Sequence, residues 1–359
     1  MVVKIWKPCY NLCEILKNEG KKMSSNVYGI DLGSYNLKVF CKYNGRILNE
    51  KNIVAILDEN QLYAYGDSAY EMYEKAPDNI KVSFPVKGGV ISEYAYEQTM
   101  LAEFLDAKTR GRVKGAEFVV AVPANITEVE RKSFFDLLYK GRARAKSVLV
   151  CDKSIATAVG LGIDVNRPEG NLVIDIGADT TEMAVISLGG MVVSELKHFG
   201  GNRLDESIIS YIRREYSLLI GKKTACFLKE TLGNAYPGAK ESVTIVGQDV
   251  VNGLPIEMEI KAATVYEAIK QDLDEMCQTL KMLLERINPE LARDIVNSGI
   301  YLTGGASRIK ELDKLFSEVS GIKVNLSENP EESAARGLIK IVSDNKYSRI
   351  PYTMKKKFF

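Results

Sequence analysis

Two stretches of this chain are variants of one another. Val27–Phe40 reads VYGIDLGSYNLKVF and Leu172–Ile186 reads LVIDIGADTTEMAVI. Each runs from an apolar segment to Asp, one apolar residue and Gly, crosses a few small or polar residues, and resumes an apolar segment. Asp and Gly are ordinary turn residues, so one such hairpin constrains little. Two in corresponding places predict a duplicated α/β chain, each lobe presenting its turn to a shared cleft. A third stretch, GIYLTGGASRIKELDKLFSE (Gly299–Glu318), reads as a short strand, a Thr-Gly-Gly turn, and a helix with Ile309, Leu312, Leu315 and Phe316 on one face. Glycines there let backbone approach a ligand closely, and a helix N-terminus favours anions. Alone, Gly304-Gly305 is equally a tight turn or a nucleotide contact. Beside two acidic hairpins it points to a nucleotide.

The residue types suit that ligand. A nucleoside triphosphate is polyanionic, so its phosphates call for backbone N–H groups from glycine-rich turns rather than more carboxylate. Mg2+ keeps several waters and takes few protein carboxylates, so Asp31 and Asp175, one at each strand end, can hold the hydrated ion. Lys38 either returns along the first hairpin toward the phosphates or is an outward-facing strand lysine.

Composition narrows the rest. A length of 359 residues predicts two domains, and 46% hydrophobic with 26% charged residues is the make-up of an ordinary globular protein. With 48 basic against 47 acidic residues the net charge is +1, which gives no reason to expect a nucleic-acid partner. Six cysteines without a CxxC pair, and a single histidine, His198, argue against a zinc site or a histidine-based triad and suit a reducing cytoplasm. No apolar run reaches the roughly 18 residues of a membrane span, and the first residues lack the apolar core and cleavage site of a signal peptide. The expected location is therefore cytoplasmic.

Taken together, these motifs resemble those of the actin-fold ATPases, a superfamily that includes heat-shock chaperones and sugar kinases, and most closely the MreB family of bacterial actins. The three stretches are similar to the superfamily's first phosphate, second phosphate and adenosine motifs. VKGGVISEYAYEQTMLAEFL, VAVPANITEVERKSF, FGGNRLDESIISYIRREYSLLIGKKTA and LGNAYPG resemble MreB in particular, and the likeness runs from about Ser25 to Ser343. It implies two ribonuclease-H-like lobes, each with an inserted small subdomain. Residues 24–55, 88–166 and 337–350 would form the first core and 56–87 its insertion. Residues 167–203 and 262–336 would form the second core and 204–261 its insertion. It also implies ATP/ADP and Mg2+ as ligands, with assembly into membrane-associated protofilaments that maintain cell shape. The implied partners are further copies of the chain, paralogous bacterial actins and an anionic membrane surface. The nucleotide-binding residues it implies are Asp31, Gly33, Ser34, Tyr35, Asn36 and Lys38, then Gly177, Ala178, Asp179 and Thr181, then Gly201, Cys226 and Lys229, and finally Gly304, Gly305 and Ala306.

The departures from that pattern bear on chemistry. In VLVCDKSIATAVG, where the family usually has Glu-Glu-Pro, Asp152 stands for the first glutamate, Lys153 for the water-positioning one and Ser154 for the proline. A carboxylate can accept a hydrogen bond from the attacking water; an ammonium only donates. Lys153 either contacts a phosphate oxygen or bends into solvent while Ser154 caps the helix, and both readings predict slow or absent hydrolysis. Asp152 is the one nearby group able to rescue some of it. In the second hairpin Asp175 and Gly177 are kept, and Thr180 matches the threonine that assists the water. Ala178 and Asp179 replace two glycines. Either the turn tolerates them with Asp179 pointing outward, or triphosphate binding weakens, or Asp179 pairs with Lys153. Cys226 stands where a glutamate is expected, while Lys229 matches.

The ends carry separate expectations. Residues 1–23 place Val2, Ile5, Trp6, Cys9, Leu12, Cys13 and Leu16 on one helical face, the pattern of an interfacial anchor interrupted by Pro8. Alternatively Met23 is the true start. The tail 351–359, with Lys355, Lys356, Lys357, Phe358 and Phe359, suits an anionic lipid surface or is a solvated terminus. The loop Asp106–Glu117 is basic, which argues against insertion into a bilayer. The competing function is an actin-fold phosphotransferase such as a sugar kinase, which needs a further carboxylate base that the sequence does not offer. A chaperone-type ATPase would need a β-rich client domain after the adenosine motif.

Overall fold

The computed structural model describes residues 26–109, 113–142 and 144–354. Trp6, the lysines and phenylalanines of 355–359, and the proposed start at Met23 lie outside them. By its internal packing the chain divides into two units. One takes residues up to Pro168, Ile186–Met191 and those from Glu332 on; the other takes Glu169–Val185 and Val192–Glu331.

The first unit opens with β1 (Val27–Leu32), β2 (Asn36–Cys41), β3 (Arg46–Lys51), β4 (Val54–Leu57), β5 (Gln61–Tyr65), α1 (Asp67–Met72) and β6 (Ile80–Ser83). It continues through β7 (Val86–Lys87), β8 (Val90–Ile91), α2 (Tyr94–Thr109), β9 (Glu117–Val122), α3 (Glu128–Tyr139), β10 (Ser147–Asp152) and α4 (Lys153–Gly160). Its main sheet has the order β10-β9-β1-β2-β3, with β1 antiparallel to β2 and parallel to β9. β1 is buried at all six positions, so it reads as a continuous apolar run rather than an alternation. A capping box starts α3: Thr127 accepts from the Glu130 amide, and the Glu130 carboxylate accepts from the Thr127 amide. A small sheet, β5-β4-β6, has its own core of Ile53, Ala55 and Ala69.

The chain goes on through β11 (Asn171–Ile176), β12 (Thr181–Ser187), β13 (Gly190–Lys197), α5 (Gly201–Tyr216), β14 (Leu218–Leu219), α6 (Lys222–Leu232), β15 (Ser242–Asp249) and β16 (Pro255–Lys261), the second unit holding all of these except Ile186–Met191. Then come α7 (Ala262–Glu285), α8 (Pro289–Ser298), β17 (Ile300–Thr303), α9 (Leu312–Ser320) and β18 (Val324–Leu326). The sheet order β13-β12-β11-β17-β18 repeats that of the first unit, with a hairpin meander on one side and parallel strands on the other. A second small sheet, β14-β15-β16, is carried between α5 and α7.

The last helix, α10 (Ser333–Ser343), belongs to the first unit and packs on β1, β2, β9 and, most extensively, α4. The two helices touch through backbone. An ideal Cβ on Gly337 would lie 1.6 Å from the Ala156 carbonyl oxygen, and one on Gly160 would lie 1.9 Å from that of Ser333.

One expectation is corrected. The periodicity of Ile309, Leu312, Leu315 and Phe316 predicted a helix directly after the Gly-Gly turn, but Gly305–Arg308 form a 3-10 turn and α9 begins only at Leu312. Lys310 is drawn into a bridge with the segment after α6: its carbonyl accepts from Ala235 N at 2.9 Å and its amide donates to Gly233 O at 3.3 Å. Glu311, at φ 62°, then restarts the helix. Tertiary pairing has overridden local periodicity.

Candidate functional site

In the first unit the β1–β2 turn closes when Gly33 N donates to Asn36 O at 3.1 Å. A Cβ on Gly33 would sit 2.7 Å from that same oxygen, so the turn requires glycine. Asp31 and Lys38 are paired in register across the two strands, hence on one face, and Lys38 Nζ lies 3.5 Å from Asp31 Oδ2 with both side chains buried. Lys38 is therefore not an outward-facing lysine. Asn52, completely buried, braces the turn twice: its Nδ2 donates to Gly33 O and its backbone N to Tyr35 O, each at 2.9 Å. Ser34 and Tyr35 form the crest of the turn, half-buried. The Tyr35 hydroxyl donates to that of Tyr70 at 3.0 Å, and Lys51 Nζ lies 3.9 Å above its ring.

β10 places Asp152 at the same end of the sheet as Asp31. Both strands flank β9, with Asp31 opposite Ala121 and Asp152 opposite Val122. Two strand spacings put them roughly 10 Å apart. Asp152 is the N-cap residue of α4, yet its carboxylate makes no capping bond. Instead Oδ1 accepts from Arg131 Nη1 at 2.7 Å, and that nitrogen also donates to the Tyr352 hydroxyl. The carboxylate expected to rescue hydrolysis is thus held in an ion pair. Lys153 is the first residue of α4 and partly buried. Ser154 does not cap the helix. It lies one residue inside it, 2% exposed, because Asp152 has taken the cap position.

In the second unit the equivalent turn closes in the same way, Gly177 N donating to Thr180 O at 2.8 Å. The start of α5 packs against it: Gly201 N donates to Gly177 O at 3.0 Å and Asn202 N to Ala178 O at 2.8 Å. A Cβ on Gly200 would lie 2.5 Å from Gly177 O, which explains the Gly-Gly pair there. Asp179 accepts from Asn202 Nδ2 at 2.6 Å, a tie within its own unit. Thr180 is buried, and the Thr181 hydroxyl donates to Phe199 O at 2.9 Å. Lys229 Nζ donates to Gly201 O at 2.8 Å and pairs with Asp205 Oδ1 at 2.7 Å. Burial outweighs that lysine and pushes the Asp205 carboxyl up to about 6. Cys226 is half-buried, 3.5 Å from Glu230 Oε1, and burial pushes its thiol up to about 11. Ala306 lies 3.6 Å from the Cβ position of Gly201, and Gly305 borders Glu331.

Gly304 joins the two motifs of this unit. Its φ is +90°, and a Cβ on it would lie 2.4 Å from Asp175 Oδ1 and 2.3 Å from Ile176 O. Gly304→Ala combines a glycine-only backbone, about 1–3 kcal/mol, with that overlap. We expect the melting temperature to fall by at least about 5 °C. An unchanged melting curve would reject this account.

Asn52, Arg131, Asp205 and Gly200 escaped the sequence reading. Gly200 adjoins the recognised Gly201 and Asp205 follows that residue by one helical turn, which was the available signal. Nothing local marks Asn52, and Arg131 lies in the family-like stretch VAVPANITEVERKSF without being singled out by it.

A doubled sheet order, two Asp-x-Gly turns closed by the same hydrogen bond, and a glycine turn pressed against the second aspartate define an actin-like, two-lobed α/β fold. The sequence matches the family model described as MreB/Mbl protein over residues 25–349. The cell shape-determining protein Mbl of Bacillus subtilis is 36% identical over 313 residues, covering 86% of this chain and 93% of Mbl. The cell shape-determining protein MreB of Escherichia coli is 36% identical over 323 residues, covering 88% and 92%. The crystal structure of MreB5 of Spiroplasma citri bound to AMPPNP superposes with a TM-score of 0.85 at 30% identity, covering 89% of this chain and 96% of that one. The chain belongs to the MreB/Mbl family of bacterial actin homologues.

Proposed function

We propose that the chain binds ATP and ADP and polymerises into cell-shape protofilaments while hydrolysing ATP slowly or not at all. The observation that carries this reading is the recurrence of one turn geometry in both units, Gly33–Asn36 and Gly177–Thr180, each following an aspartate at a strand end. Those turns would offer backbone N–H groups to the phosphates. The Gly304–Ala306 turn, Gly201, Cys226 and Lys229 would receive the nucleoside. Related MreB5 of Spiroplasma citri was crystallised with AMPPNP and with ADP, which supports the ligand class.

Asp31 and Asp175 suit Mg2+, because carboxylate oxygens are the hard donors it prefers. Among the described residues no three metal-ligating side chains cluster; each of these carboxylates would act on the ion through water, with phosphate completing its shell. Bound there, the ion would neutralise phosphate charge. The same reading assigns the subdomains 56–87 and 204–261 as insertions into the two cores.

No described helix is long and apolar enough to cross a membrane. We place the chain at the inner membrane surface through its basic-aromatic tail. One sedimentation series tests assembly and attachment together. With ATP the protein is expected to pellet as polymer, and anionic vesicles are expected to carry down the full chain but less of a chain lacking Lys355–Phe359. Soluble monomer under every nucleotide condition would count against assembly, and equal vesicle binding by the shortened chain against the tail.

A further inference from the structure

Beneath the first phosphate turn lies a carboxyl group that no step above uses. Glu97, in the first turn of α2, is completely buried, and neither of its oxygens has a hydrogen-bond partner. Beside it is Asn52. The Asn52 Nδ2 is committed to Gly33 O, while Asn52 Oδ1 is buried and likewise without a partner. The Asn52 amide is within hydrogen-bonding reach of the Glu97 carboxyl, and buried acceptors left without partners are costly, a cost that a proton on Glu97 removes.

The surroundings keep that proton in place. The titratable side chains that neighbouring elements turn toward α2 are engaged elsewhere. Lys81 of β6 pairs with Glu93 at 3.1 Å, and Asp136 of α3 with Lys132 and Lys140. Tyr65 of β5 lies near Lys108, at the far end of α2. Burial, opposed only by Asn52, pushes the Glu97 carboxyl up to about 8.

We propose that Glu97 is a positioning residue for the first phosphate turn: its carboxyl O–H donates to Asn52 Oδ1 and so orients the amide that holds the Gly33 carbonyl. The relay runs from Glu97 through Asn52 to Gly33, with the Asn52 backbone holding Tyr35 alongside. Ionised, Glu97 has no donor; it repels Oδ1 and competes for Nδ2, and the brace on Gly33 slackens. An acid with a raised folded-state pKa holds its proton more tightly folded than unfolded. The fold therefore also loses stability as pH rises from the ordinary glutamate range toward about 8.

This role rests on the nucleotide reading of the turn, and the test separates the two. Affinity of the full-length protein for AMPPNP with Mg2+ would be titrated from pH 6.5 to 9 for the wild type, Glu97→Gln and Glu97→Leu. Gln keeps a donor at all pH values; Leu has none. The wild type is expected to weaken about fivefold between pH 7 and 9, the worth of one net hydrogen bond, while Glu97→Gln stays flat. Glu97→Leu is expected to be weakened already at pH 7. Parallel pH profiles for the wild type and Glu97→Gln would overturn the proposal, whether or not the Leu variant folds. If the wild type binds no nucleotide at any pH, the functional reading fails, and amide exchange in nucleotide-free protein decides the brace alone. Faster exchange at residues 33–36 in Glu97→Leu and Asn52→Ala but not in Glu97→Gln supports the relay. Equal exchange in all of them overturns it.

Discussion

Lys153→Glu is expected to raise ATP hydrolysis by roughly 10²-fold, the lower end of what a positioned acid–base group contributes. Lys153 is the first residue of α4, at the end of the sheet where β1 delivers Asp31 and β10 delivers Asp152. A water about to attack phosphorus needs an acceptor for its proton, and an ammonium has none. Asp152 does not substitute, since Arg131 holds its Oδ1 at 2.7 Å. A glutamate at 153 also places negative charge at the positive end of a helix, worth about 0.3–1 kcal/mol, so the variant is expected to be no less stable. Lys153→Met separates the two contributions: it removes the cation without adding an acceptor and is expected to leave hydrolysis low. Phosphate release measured for all three proteins checks this. A wild type already as fast as Lys153→Glu would show that the site works without the carboxylate.

Gly337→Ala is expected to be strongly destabilising. Its Cβ would lie 1.6 Å from the Ala156 carbonyl oxygen and 2.5 Å from the carbonyl carbon. No rotamer change relieves an overlap with backbone, so α4 and α10 must separate. Overpacked cores commonly lose about 1–3 kcal/mol, and a backbone clash of this depth belongs at or beyond the top of that range. A melting temperature lower by about 6 °C or more, or loss of soluble protein, is the expected result. Because α4 begins at Lys153, a surviving variant is also expected to bind nucleotide more weakly. Thermal melts decide; a melting curve within a degree of the wild type would mean that the helices pack less closely than described.

Much of the architecture was legible because it is written locally. The turn chemistry of Asp31-Leu32-Gly33 and Asp175-Ile176-Gly177 needs only neighbours in sequence, and its repetition disclosed the duplication. The register that sets Lys38 opposite Asp31 follows from a four-residue turn. What stayed hidden depends on distant partners. Asn52 reaches Gly33 from just beyond β3, and Arg131 reaches Asp152 from α3; the family-like stretch around Arg131 does not single that residue out, and no motif marks Asn52. Ile309 to Phe316 misled for the same reason, since the apolar spacing was helical but Lys310 found a partner beyond α6.

The final described segment bears on how such a chain avoids sticking to its copies in the wrong way. β10 borders its sheet, and an uncovered border strand is a template for indiscriminate pairing between molecules. Here Tyr352 lies antiparallel along it, exchanging both backbone hydrogen bonds with Val150, and Met354 packs onto the core beneath. The segment Tyr352–Met354 thus acts as a selvedge, finishing the fabric at one margin. Trimming the protein upstream of Tyr352 would fray that margin and release Arg131 from its second partner. Clumping of such a shortened chain is expected to be indifferent to nucleotide.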